Sequence, residues 1–111
     1  ISLAGRPNEV ILVDGQVAPA VAMSYPAGFF RKVWVDYTIT RGSGGRIRQG
    51  SFMILNDATG TVQFNEEINL LGGDINVDLL DPVINAGNVE LQYTSVSEAV
   101  GITFEYTLRG W

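Results

Sequence analysis

The chain of 111 residues contains no cysteine and no histidine. Without cysteine there is no disulfide and no thiolate nucleophile. Without histidine, Ser–His–Asp and Cys–His constellations cannot form, and neither can a histidine-ligated zinc site. Long apolar runs are missing too: none approaches the roughly 18 residues of a membrane-spanning helix. No segment keeps a helical period, and no linker, low-complexity stretch or internal repeat divides the chain. No signal-peptide pattern opens it. Zero cysteine fits assembly inside a cell, and equally an exported domain that lacks the residue. The first residue is Ile1. Initiator methionine is normally removed only before a small residue, so Ile1 reads as a processed end, an excised fragment, or the residue after an omitted Met.

What remains describes one domain of ordinary size. The hydrophobic fraction is 46% and the charged fraction 17%, a balance that supports a core without staples. The net charge of −5 is unevenly spread. Arg6, Arg31, Lys32, Arg41, Arg46 and Arg48 face only Glu9, Asp14 and Asp36 in residues 1–48, whereas Arg109 is the sole base after them. An acidic protein repels nucleic acid at long range, so no nucleic-acid partner is expected. The polarity either pairs basic and acidic patches between subunits or vanishes as the halves mix in one fold.

Period-2 alternation dominates the chain. Val33, Val35, Tyr37 and Ile39 alternate with Lys32, Asp36, Thr38 and Thr40, with Trp34 interrupting the polar set. Ile75, Val77 and Leu79 alternate with Asn76 and Asp78; Val89, Leu91 and Tyr93 with Glu90, Gln92 and Thr94; Ile102, Phe104, Tyr106 and Leu108 with Thr103, Glu105, Thr107 and Arg109. Each such run has one wet and one buried face, as in an antiparallel sheet. Val10–Val13 and Ser51–Leu55 are apolar on both faces, which marks central strands or strands covered by a partner. Turn signals at Asp14-Gly15, Pro26-Ala27-Gly28, residues 42–45, residues 56–60, Gly72-Gly73, Asp81-Pro82 and Ala86-Gly87-Asn88 separate the runs. About eight short strands result, with one turn of helix over Ser95–Val100. This is the pattern of an all-β antiparallel sandwich, jelly-roll-like, spanning residues 10–111 behind an N-terminal arm, residues 1–9.

Sites for chemistry are few. Glu66 and Glu67 are adjacent in a strand-like run, so their side chains point to opposite faces. Glu90 and Glu105 lie on wet faces and read as solvated charges. Asp74-Ile75-Asn76-Val77-Asp78 resembles the start of a calcium loop, but the sixth and twelfth positions are Leu79 and Asn85 where Gly and Glu are needed. It reads as a strand with a polar outer face, with a weak oxygen-ligand site as the alternative. Residues 42–45 (Gly-Ser-Gly-Gly), flanked by Arg41, Arg46 and Arg48, lack the Lys-Ser/Thr end of a phosphate loop and read as a hairpin tip with basic flanks. The aromatics carry more. Phe29 and Phe30 follow a turn, Trp34 breaks a polar face and Trp111 ends the chain. Tryptophan anchors interfaces and stacks on sugars; Trp34 serves either a core layer or an interface. No enzyme activity and no cofactor or metal is expected.

Leu12–Gln16, Phe29–Arg41, the Arg46–Leu55 run, Asn88–Ser95 and Gly101–Arg109 together resemble the small β-sandwich domains of bacteriophage virion proteins, including tail-fibre modules. That resemblance implies a non-catalytic virion part, usually oligomeric, assembled in the host cytoplasm. A fibre carries long trimeric shafts, which this chain lacks. A free-standing domain of this size looks more like a capsid decoration, or cement, protein clamping neighbouring capsid subunits. A fibre tip that binds the host surface and a carbohydrate-binding module are the alternatives. The expected partners are the major capsid protein or another virion protein and a second or third copy of the chain, with no membrane. The residues expected at partner contacts are Ile1, Leu3, Arg6, Phe29, Phe30, Trp34, Arg41, Arg46, Arg48 and Trp111, chosen for apolar or basic character at loops and termini.

Overall fold

Alternating strands hide their apolar sets only by facing another sheet, and the described residues do this with nine strands. The computed structural model describes residues 8–28, 30–42, 46–56 and 62–110, with residues 62–66 described by their backbone alone. The strands are β1 (Asn8–Leu12), β2 (Ala20–Pro26), β3 (Lys32–Arg41), β4 (Arg46–Asn56), β5 (Val62–Leu71), β6 (Val77–Leu79), β7 (Val83–Asn85), β8 (Asn88–Ser95) and β9 (Ile102–Gly110). The larger sheet has the order β1-β9-β3-β4-β5 and the smaller one β2-β8-β6, with β7 also pairing β8. All pairings are antiparallel. The protein is a β-sandwich, and no helix occurs among the described residues.

The two ends of the chain run together. β1 pairs β9 in the larger sheet and β2 pairs β8 in the smaller. The paired chain ends therefore pass from one sheet to the other side by side. The β3–β4–β5 meander then widens the larger sheet on its far side.

The core follows the alternation. Val33, Val35, Tyr37, Ile39, Phe52, Ile54, Ile102 and Phe104 point inward from the larger sheet and meet Tyr25, Val77, Val89, Leu91 and Tyr93 from the smaller. In β2 a register shift between Val21 and Met23 opposes an extra residue to β8, and it brings Ala22 and Met23 both inside; this is the local effect of a β-bulge. Gly50 lies opposite Tyr37. A Cβ there would sit 2.7 Å from the Tyr37 hydroxyl and closer still to the Glu67 carbonyl, so the tyrosine ring occupies the space a larger residue would need.

Several expectations change. β7 is a short hairpin partner of β8 whose two turn residues, Ala86 and Gly87, have φ of 51° and 82°, the signature of a type I′ turn. Asn8 and Glu9, read as arm, pair with Tyr106 and Glu105; residues 1–7 lie outside the described residues. Val10–Leu12 belongs to the edge strand β1, not a central strand, leaving Ile11 67% exposed. Ser51–Leu55 is central, flanked by β3 and β5. Asp74–Asn76 forms a loop, and the strand begins only at Val77. The helical turn over Ser95–Val100 is absent because the amides of Glu98 and Ala99 are donated to the Asp14 carboxylate.

Candidate functional site

The arginines nominated for partner contacts lead first to a corner inside the fold. Arg41 is in phase with Val33, Val35, Tyr37 and Ile39, so its side chain turns inward and is fully buried. Its Nη1 donates to the carbonyls of Ile75 (2.9 Å) and Asn76 (3.2 Å), and its Nη2 to Asp14 Oδ1 and the Val96 carbonyl. Its Nε lies 3.8 Å from Glu98 Oε1. Arg46 lies directly opposite Arg41 in the register, and like charges placed so are destabilising unless compensated. Glu98 supplies that compensation: it pairs with Arg46 and also accepts from Asn76 Nδ2. Asp14 accepts from the Glu98 and Ala99 amides and from Ser97 Oγ.

These contacts close the point where the paired chain ends cross between sheets. The amide hydrogen bond from Glu98 is the main cause holding the Asp14 carboxyl below its ordinary value, with Ala99 and Arg41 adding to it. Hydrogen bonds from Arg46 and then Asn76 hold the Glu98 carboxyl down at about 2. Every charge here has a partner of opposite sign, so the corner is built for rigidity.

Arg48 is inward as well. Its Nε donates to Tyr37 Oη (3.1 Å) and its Nη1 to the Val77 carbonyl (3.2 Å), tying β4 to β6. Arg41 and Arg48, expected at the surface on a loop, are therefore interior ties, because the alternation of their strands continues through them. Arg46 is partly exposed but bound to Glu98 and the Asp74 carbonyl. Phe30 packs edge-on to Tyr25 at 6.1 Å and against the core. Trp34 is half-buried on the outer face of the larger sheet, its Nε1 donating to Asp36 Oδ1 (3.2 Å). Ile1, Leu3, Arg6, Phe29 and Trp111 lie outside the described residues.

A different surface stands open. Ile68 and Leu70 of β5 lie opposite Gly50 and Arg48, so they share the inward face that buries Phe52 and Ile54 completely. Yet they remain 49% and 54% exposed. The smaller sheet is not wide enough to cover β5. Leu71, on the other face of the same strand, is 65% exposed. β5 is also an edge strand of ten residues whose outer side has no strand partner among the described residues. An uncovered apolar strip beside an unpaired edge is the usual form of a surface that another chain completes. The residue pattern of this strand does not mark it in advance, because its exposure depends on the width of the opposite sheet.

Among the described residues, no group of three or more acidic side chains is placed to hold a metal ion. Comparison with family models, with curated proteins and with solved structures finds no match to this chain.

Proposed function

We propose that this domain is a bacteriophage virion structural protein, acting as a capsid decoration protein that clamps neighbouring subunits without catalysis. The observation that carries the reading is the β5 surface, where Ile68 and Leu70 face the inter-sheet side but stay half exposed next to a strand edge unpaired among the described residues. Covering them would remove the remaining apolar area from water. That contributes on the order of 1 kcal/mol for each side chain, and pairing the edge would add main-chain hydrogen bonds. The cross-braced corner at Arg41 supports the same reading, since a clamp must transmit load through a stiff body. The resemblance of its strand segments to phage structural domains supplies the setting.

The test is attachment to particles. The chain carrying Leu70→Lys, checked for native folding by circular dichroism, is mixed with capsids lacking the protein. The reading expects stoichiometric binding by the parent chain and its loss in the variant. Equal binding by both would show that β5 is not the gripping surface. Recovery of the protein with purified tails rather than capsids would favour a fibre tip.

A further inference from the structure

The outer face of the larger sheet carries a second feature, on the side opposite the β5 strip. A trough of about 660 Å³ runs across β5, β4, β3 and β9. Its walls are the outward side chains Asp36, Thr38, Gln49, Ser51, Glu67, Asn69, Glu105 and Thr107, and its floor includes the backbone of Tyr37, Gly50 and Tyr106. From the geometry of this trough we infer that it is a binding site for a neutral glycan.

The side chains differ in kind from those of the Arg41 corner. There, each charged side chain is paired with one of opposite sign. In the trough, the hydroxyls of Thr38, Ser51 and Thr107, the amides of Gln49 and Asn69, and the carboxylates of Glu67 and Glu105 make no side-chain hydrogen bond or ion pair with the described residues. They are donors and acceptors set at fixed positions by four strands in firm register. Only Asp36 is engaged, by Trp34 Nε1 and by Arg109, 3.5 Å away.

The chemistry of the ligand follows from what lines the trough. Three carboxylates line it and the nearest cation, Arg109, is paired with one of them, which disfavours phosphorylated, sulfated or uronate ligands. A carboxylate accepts from two neighbouring hydroxyls at once, and primary amides both donate and accept. That is the complement of a chain of sugar hydroxyls. Neighbouring strands lie about 4.8 Å apart, close to the length of one pyranose, so side chains on successive strands meet successive rings. At one end stands Trp34, in register with Met53 and Arg109 and fixed by its bond to Asp36. A partly exposed indole there is placed to stack on the apolar face of a sugar. An extended peptide fits less well, because the trough lies on a sheet face and offers no free strand edge for main-chain pairing.

The inference does not depend on virion attachment, and its test keeps the two apart. The full chain is screened against an array of neutral oligosaccharides, and the strongest binder is titrated by calorimetry. Emission of Trp34, read in a Trp111→Phe background, reports the site. Binding is expected with a change in that emission. Gln49→Ala and Glu105→Gln, both on the solvated face, should weaken it by about three- to tenfold each, while Leu70→Lys leaves it unchanged. The inference is overturned if no neutral glycan binds, if binding is indifferent to both trough variants, or if the only ligand found is a lysine-rich peptide whose affinity collapses with salt.

Discussion

Replacing Arg41 by Met tests whether the corner is the brace of the sandwich. The substitution keeps most of the side-chain length and removes the guanidinium. Four acceptors then lose a donor: the carbonyls of Ile75, Asn76 and Val96, and the Asp14 carboxylate. A hydrogen bond from a charged group contributes about 1.5–3 kcal/mol net, but the four share one side chain and do not add. Asp14 is 26% exposed in its side chain and can recover water, whereas the Ile75 bond is buried. Breaking a buried pair by removing one partner costs about 3–5 kcal/mol, which is the expected loss. It is a large share of the roughly 5–15 kcal/mol typical of a whole domain, and corresponds to a fall in Tm of about 12–20 °C. Urea unfolding followed by tryptophan emission gives the difference directly, and an unchanged m-value would show that the denatured state is not responsible. Amide exchange at Glu98 and Ala99 should accelerate more than exchange at Val35 or Phe104. A loss below about 1 kcal/mol, the range of an exposed pair, would refute the assignment of Arg41 as a brace.

Three further outcomes are expected. Asp14 and Glu98 titrate below their ordinary values in the fold, so the stability they contribute is present above the unfolded values and is lost as pH falls through the folded ones. The urea midpoint should therefore drop between about pH 5 and about pH 2, and Glu98→Gln should flatten that drop; an identical profile in the variant would rule the linkage out. The Tyr25 hydroxyl is buried without a hydrogen-bond partner among the described residues, and burial pushes its ionisation upward. Tyr25→Phe should accordingly be neutral or stabilising by up to about 1 kcal/mol, whereas a clear loss would mean the hydroxyl is bonded. Ala86→Asn, at a left-handed turn position with φ of 51°, should raise stability by about 0.5–1 kcal/mol, and a lower Tm would contradict the turn assignment.

Much of this architecture was written in period-2 patterning. The alternations of β3, β8 and β9 name their inward sets, with Tyr106 of β9 only partly buried, because one face of each meets the other sheet. The same rule, carried to the strand ends, places Arg41 with Val33–Ile39 and Arg48 with Phe52 and Ile54. The glycine-rich turn beside them points the other way, toward wet arginines. Their partners could not be read ahead of the fold. Asp14 and Glu98 are 84 residues apart and meet only because the two chain ends cross between sheets side by side. The Ser95–Val100 segment is not helical for the same reason, since its amides are claimed by a residue from the other end of the chain. The β5 strip and the outer trough depend on sheet width and strand order, which alternation does not encode. Nothing in the pattern of Gln49, Ser51, Glu67, Asn69, Glu105 and Thr107 signals a shared surface until β5, β4, β3 and β9 are set side by side.

The most direct test of the virion-clamp reading is electron cryo-microscopy of intact particles at a resolution that separates strands. The reading expects sandwich-shaped density on the capsid exterior at a fixed copy number per capsomer, with β5 turned toward a neighbouring subunit and Ile68 and Leu70 covered. Particles with no such density, or with the domain attached through another face while β5 stays open to solvent, would contradict it.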